Sequence, residues 1–339
     1  MVKIVAPDGA YAAVAVTGGA GAGALTDHKK QESVLAFEEF MVSSYGGYKS
    51  EGRTLWHGDS AAETVVLIGG ALQRKTAWGR FEAALAQTFH MFTVDLPGWG
   101  DADTLPASYG LDFLAGALHD LLEAAGHRRV HVLGASYGSG IAHRYAQTCP
   151  QAVRSLVLAG PLLWVPDAVR EDLRRTVDLL AGERMEAFAE LSADIILRSP
   201  PGERVTRQSA VRRILRSMFR DIGEADRDKY RNNTLRLLEQ APSPQPPITV
   251  PVMVATGEHD LFTPPDLCRE VASACLDARV VLVHGADHAM HLELPDLAGD
   301  LLTRFATGQS LDGLAYCHPV EYSTAPSLSA AMCAADGLR

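Results

Sequence analysis

From Thr64 to His284, short apolar runs rich in β-branched residues alternate with stretches whose apolar residues recur at helical spacing. "TVVLIGG" is followed by "TAWGRFEAALAQTF", and "HMFTVDLPGWG" by "LDFLAGALHDLLEAAG". "RRVHVLGAS", "VRSLVLAG", "ITVPVMVATGEHD" and "ARVVLVHGADH" continue the series. Continuous apolar runs separated by helices require a mostly parallel sheet with both faces covered. The expected fold class is therefore α/β, with a mostly parallel central sheet and helices on both faces.

The rhythm stops at Val165 and resumes after "APSPQPP", which ends at Pro247. This stretch contains no strand pattern and reads as several helices rich in Arg, Glu and Leu. A helical insertion between two core strands predicts a lid over the open edge of the sheet. The expected organisation is an N-terminal extension (1–42), a first core part (43–164), the lid (165–247), a second core part (248–307) and a C-terminal extension (308–339). Within the first 42 residues "DHKKQESVLAFEEFM" reads as a helix, and "SSYGGYKSEGRTLWHG" reads as a leading hairpin. The residues from Gly308 onward show no period and are expected to be loosely held.

One junction points to chemistry. In "VHVLGASYGSGIAHRYA" a strand turns directly into a helix at Ser136, with Gly134 and Gly138 on either side. A turn sharp enough to lift a serine hydroxyl clear of the sheet strains the backbone and crowds the positions two before and two after. Glycine is wanted there for that reason. A serine becomes a useful nucleophile only beside a base that is itself oriented by an acid. Asp260 and His288 close two later strand–loop segments, in the order Ser, Asp, His expected for such an elbow. Glu258 sits too close to its strand to serve as the acid, and Asp287 adjoins the histidine it would orient. Asp167 is a further rival. The backbone N–H of Tyr137 is the expected first oxyanion donor, and that of Ala71 the second, with Leu72 as its alternative.

Five stretches together, "IGGALQRKTAW", "DLPGWGDAD", "GASYGS", "GEHDLFTP" and "GADHAMHLELPD", resemble the α/β-hydrolase superfamily over about Tyr48 to Phe305. The resemblance implies an α/β-hydrolase fold and a serine hydrolase acting on an ester or thioester through an acyl-enzyme. An acyltransferase passing the acyl group to an alcohol is the alternative, and a non-catalytic ligand binder of the same fold is a second one. A serine at the elbow argues against the superfamily's carboxylate-nucleophile dehalogenases and epoxide hydrolases. Many relatives carry His-Gly where this chain has Gly69-Gly70, so any bracing by that histidine is missing here. Over short stretches the "GAL" loop and the helical insertion are also similar to the hydroxyacyl-transferring synthases of rhamnolipid assembly.

The remaining features narrow the partners. A formal net charge of −10 argues against nucleic acid and anionic membranes. The five cysteines (Cys149, Cys268, Cys275, Cys317, Cys333) form no CxxC pair, so neither a disulfide framework nor a structural zinc site is expected, and a cytoplasmic setting fits. Tyr11–Ala24 is too short and too Gly/Ala-rich for a membrane span, and a cleaved signal peptide is not expected. The partner expected is a small-molecule acyl substrate, with a carrier-protein or coenzyme A thioester as one form of it. For the basic helix Ser209–Ile222, a charged face balanced by Asp221 to Asp228 is weighed above a phosphate-binding role. Leu72, Trp164 and His291 are the expected pocket residues. No cofactor or metal is expected. The run His284, His288, His291 is read against metal, because ligation would take His288 from base duty.

Overall fold

A computed structural model of the 339-residue chain describes residues 2–5, 11–14, 35–240 and 246–323. Strands β1 (Val2–Val5) and β2 (Tyr11–Val14) form a two-stranded antiparallel ribbon. The other strands are β3 (Leu35–Tyr45), β4 (Tyr48–His57), β5 (Thr64–Ile68), β6 (His90–Asp95), β7 (Val130–Ala135), β8 (Val153–Ala159), β9 (Val252–Gly257), β10 (Ala278–Val283) and β11 (Glu321–Ser323). They make one sheet in the order β11-β10-β9-β8-β7-β5-β6-β4-β3. β5 to β10 run parallel, while β3, β4 and β11 are antiparallel to their neighbours.

The strand period of two sends alternate side chains to opposite faces. Val66, Val132, Leu156 and Val254 pack under α2 (Leu111–Ala124), α3 (Tyr137–Thr148) and α8 (Pro265–Ser273). Val65, Leu67, Leu133, Val157 and Met253 pack against α1 (Gly79–Leu85) and α10 (Pro295–Ala306) on the other face. Each such side chain contributes roughly 1.5–3 kcal/mol on burial. That is why these runs read as continuously apolar.

Four helices lie between β8 and β9: α4 (Asp167–Ala181), α5 (Met185–Ile196), α6 (Gln208–Arg220) and α7 (Glu224–Glu239). They carry a small core of their own, with Phe188 meeting Phe219 and Tyr230 edge-on at centroid distances of 5.6 and 4.9 Å. The charged face of α6 is balanced chiefly from α5. Arg212 binds Glu190 and Asp194, and Arg216 binds Glu186 and Glu190. Arg220 pairs with Asp221. Arg212, Arg216 and Arg220 thus already hold lid carboxylates.

Two expectations are corrected. Residues 35–41, read as the end of a helix, are strand, and residues 27–34 lie outside the described residues. Gly46 and Gly47 adopt φ of +58° and +86°, which glycine takes readily and a two-residue hairpin turn needs, and the register then runs outward from Tyr45 opposite Tyr48. Trp56 stacks on Phe37 across the pair at 5.7 Å, and Arg53 binds Glu38. Pairing with a distant segment overrides the local helical pattern. The second correction concerns residues 308–323, which are anchored to the core and the sheet rather than loosely held. Leu311 and Cys317 are buried in the α1/α10 core, and β11 extends the sheet beyond β10. Their order comes from β10 rather than from a period of their own. Between β10 and α10 a single helical turn forms α9 (Met290–Glu293).

Candidate active site

β7 pairs with β5 on one side and β8 on the other, while β6 lies beyond β5. The chain therefore leaves β5 in one direction and β7 in the opposite one, opening a crevice at the carboxyl ends of the two strands. Ser136 stands there, with φ 51° and ψ −118°, a region that non-glycine residues seldom occupy. A Cβ on Gly134 would run into the Gly138 carbonyl and lie 2.6 Å from Ser139 Cα. One on Gly138 would strike the Ile68 carbonyl and lie 2.7 Å from that of Gly69. The turn is pinned where it is strained. The Ser136 N–H donates to the Ala159 carbonyl at 2.8 Å, and Ser139 Oγ donates to the Ser136 carbonyl while accepting the Leu162 N–H at 2.7 Å.

His288 Nε2 lies 2.9 Å from Ser136 Oγ, and its Nδ1 lies 2.9 Å from Asp260 Oδ2. A carboxylate only accepts, so the Asp260 contact places the ring hydrogen on Nδ1 and leaves the Nε2 lone pair facing the hydroxyl. Asp260 is fully buried. Its Oδ1 accepts the N–H groups of Phe262 and Thr263, both at 2.8 Å, and its Oδ2 accepts the hydroxyls of Thr256 (2.5 Å) and Thr263 (2.6 Å). Burial alone would raise this carboxyl, but the His288 imidazole and the two threonines hold it below the usual range. The rival carboxylates lie elsewhere. Glu258 binds His284, His318 and the Gly285 N–H, Asp287 accepts the N–H of His288, and Asp167 stands fully in solvent at the start of α4.

The loop after β5 closes the other side. The N–H of Gly70 donates to Gln73 Oε1 at 3.2 Å, and its carbonyl accepts the indole N–H of Trp99 at 2.9 Å. Both polar groups of Gly70 are thus taken, and Ala71 supplies the next N–H along the loop. Across the crevice Tyr137 is the first residue of α3, so its N–H has no acceptor within the helix. Farther along, the buried Lys75 ammonium ties the loop to Asp95 (2.9 Å), Glu51 (3.0 Å) and Asp101 (2.6 Å). Two N–H groups flanking a hydroxyl–imidazole–carboxylate relay can stabilise a tetrahedral oxyanion while the relay moves a proton.

A cavity of about 180 Å³ opens on Ser136 between the sheet edge and the lid. Leu162, Leu173, Ile195, Leu215, Phe219 and Phe262 supply its apolar walls. Leu72, at φ 58°, lines it as well. None of the lining residues is Asp, Glu, Lys or Arg. His291 also reaches this wall, with its Nε2 3.4 Å from Gln73 Nε2 and its ring 5.7 Å from that of Trp78. Burial pushes its imidazole down to about 4 and keeps it neutral. Trp164, expected in the pocket, faces a separate hollow with Leu111, Gly140 and His143, because the chain turns away from Ser136 before α4 begins. His284, His288 and His291 point into three different environments and share no site.

Sequence reasoning missed Gln73, Thr263, Ser139 and Arg236. Arg236 on α7 is buried, and its guanidinium donates to the carbonyls of Leu105 (3.2 Å), Pro106 (2.8 Å) and Tyr109, to Asn233 Oδ1 (2.5 Å) and to the Tyr137 hydroxyl (3.3 Å). It clamps the lid to the core directly behind the cavity. None of these four has a sequence signal beyond residue type, since each also depends on a partner distant along the chain: His291 for Gln73, His288 for Thr263, Leu162 for Ser139 and Leu105 for Arg236.

Comparison with known proteins agrees with this architecture. The family model for the alpha/beta hydrolase fold matches residues 63–295. An uncharacterized protein of Mycobacterium bovis is 30% identical over 183 residues, covering 53% of this chain and 48% of that protein. The chain thus aligns with about half the length of that relative. A 2-hydroxy-6-oxononadienedioate/2-hydroxy-6-oxononatrienedioate hydrolase of Cupriavidus pinatubonensis is 25% identical over 253 residues, 68% of this chain and 81% of that one. Among solved structures, an alpha/beta hydrolase enzyme from a Medee basin deep-sea metagenome library superposes with a TM-score of 0.69 at 18% identity, over 81% of this chain and 100% of that one. Among the described residues no helix is long and apolar enough to cross a membrane. With the fold, the family model and the crevice geometry in agreement, the chain belongs to the α/β-hydrolase family.

Proposed function

We propose that the chain is a serine hydrolase that cleaves esters or thioesters of a neutral, apolar acyl group. Ser136 Oγ attacks the acyl carbonyl as His288 Nε2 takes its proton, and Asp260 holds the imidazole in the required tautomer. The oxyanion of the tetrahedral intermediate accepts the N–H groups of Ala71 and Tyr137. The C–O or C–S bond then breaks, and the leaving alcohol or thiol departs with the proton from His288. Water repeats the sequence on the acyl-enzyme and releases the acid. Each oxyanion donor accounts for roughly a hundredfold to a thousandfold in turnover.

The observation that carries the substrate class is the uncharged wall of the cavity. The Cupriavidus relative is named for a dioate. A second carboxylate in this cavity would be desolvated without a cation, at a cost of several kcal/mol. Arg236 touches the Tyr137 hydroxyl, but its other donors are committed to carbonyls and Asn233. The test compares p-nitrophenyl octanoate with the p-nitrophenyl monoester of octanedioic acid. The neutral ester should show at least roughly a hundredfold higher kcat/KM. Equal or faster turnover of the carboxylated ester contradicts the proposal.

A further inference from the structure

Away from this cavity, three metal-ligating side chains from separate segments converge. Glu258 follows β9, His284 follows β10, and His318 lies on the C-terminal segment that packs along β10. Glu258 Oε2 lies 2.6 Å from His318 Nε2 and 3.2 Å from His284 Nδ1, and the three atoms all fall within 4.8 Å of one another. The two imidazole rings lie with centroids 4.1 Å apart, tilted by 49° to one another. None of the three residues lines the cavity beside Ser136.

The backbone fixes this arrangement. The His284 N–H donates to the Tyr316 carbonyl and the His318 N–H to the Leu282 carbonyl, both at 2.9 Å. The Gly285 N–H donates to Glu258 Oε1 at 2.6 Å, which turns the other carboxylate oxygen toward the two rings. Such a contact from outside the ligand set is how metal sites orient a carboxylate. Ligand atoms about 2.1 Å from a tetrahedral zinc lie roughly 3.4 Å from one another. The observed 2.6 and 3.2 Å reach that spacing if the rings back away by less than about 1 Å. The side chains of Glu258, His284 and His318 are 23%, 43% and 41% exposed, which leaves access for an ion and room for water as a fourth ligand.

We propose that Glu258, His284 and His318 form a binding site for a borderline divalent transition metal such as Zn²⁺. Two nitrogens and one carboxylate oxygen suit such an ion and do not suit Mg²⁺ or Ca²⁺, which take oxygen ligands. The bound ion clips the C-terminal segment to the ends of β9 and β10. The ligands Glu258 and His284 stand two and four residues before Asp260 and His288. The site is structural, and it stands independently of the activity assigned to the cavity.

The experiment uses the tag-free full-length chain, stripped with EDTA and titrated with Zn²⁺ in a calorimeter, with thermal unfolding read in parallel. One equivalent should bind and raise the unfolding temperature, and Mg²⁺ should do neither. His318→Ala and Glu258→Gln should each weaken Zn²⁺ binding by roughly tenfold or more. Glu258→Gln can keep the Gly285 contact through its amide oxygen, so its fold is not at risk from that change. His119→Ala, removing a partly exposed histidine beside Glu123, should bind as the parent chain does. The proposal is overturned if the parent chain takes up no Zn²⁺, or if both variants bind it undiminished.

Discussion

The Gly70 N–H donates to the side chain of Gln73 at 3.2 Å, and the far end of that side chain meets the neutral ring of His291 at 3.4 Å. Gln73 thereby decides which N–H of the loop is free to face the Ser136 hydroxyl. Gln73→Ala should leave the fold intact and lower kcat by roughly tenfold to a hundredfold, since the oxyanion donor would no longer be held in register. Steady-state kinetics on a neutral ester checks this. An unchanged kcat with a raised KM would assign Gln73 to substrate binding instead.

Backbone strain at Ser136 gives a second outcome. With φ at 51° and ψ at −118°, the residue sits where a side chain costs about 1–3 kcal/mol, whereas glycine meets little penalty. Ser136→Gly should therefore be more stable than Ser136→Ala by roughly 1 kcal/mol, although both lack the hydroxyl. Gly138→Ala should be destabilised by about 1–3 kcal/mol, because its methyl would press on the Ile68 and Gly69 carbonyls. Urea unfolding of the three variants measures all of this. Equal stability of the two Ser136 variants would mean the elbow is relaxed.

A third outcome concerns acids behind the imidazole. Burial raises the carboxyl of Glu293 to about 8 and that of Asp287 to about 6, and the Asp287 N–H donates to Glu293 Oε2 at 2.7 Å. Both folded values exceed those of an unfolded chain, so the folded state binds more protons between roughly pH 4 and 8. Their contribution to stability is full below the unfolded values and is lost as pH rises through the folded ones. Glu293→Gln cannot ionise and should lose less stability than the parent between about pH 5 and pH 8. Parallel urea curves for the two proteins across that range would contradict this assignment.

The acid side of the profile has the opposite sign. Burial lowers the imidazoles of His127 and His291 to about 4, so the unfolded chain binds more protons than the folded one between roughly pH 4 and 6.5. Stability from these two groups should fall as pH drops through that window. His127→Gln should show a shallower acid loss in the same unfolding series, and an unchanged slope would remove His127 from the account.

What could be read from sequence follows from how each residue acts. β5, β7 and β9 are buried on both faces, so their apolar runs announce them, and Ser136 is marked by glycines whose Cβ atoms would collide with the opposite loop. Asp260 and His288 are legible from their strand-end positions, and in the structure His288 bridges Ser136 Oγ and Asp260 Oδ2, each at 2.9 Å. Gln73, Arg236 and Thr263 act through partners that only the folded chain supplies. β3 carries a pattern compatible with a helix until β4 pairs with it, and β11 needs β10 in the same way. Trp164 stands at the lid entrance in sequence, but the backbone carries it past the cavity into the neighbouring hollow.

The most direct test is covalent labelling with a fluorophosphonate, located by mass spectrometry of the digested protein. The parent chain should carry one adduct, on the peptide containing Ser136. His288→Ala should lose the label, and Asp260→Asn should take it up far more slowly. A parent chain that stays unlabelled, or a His288→Ala variant that labels at the parent rate, would contradict a hydroxyl activated by this imidazole.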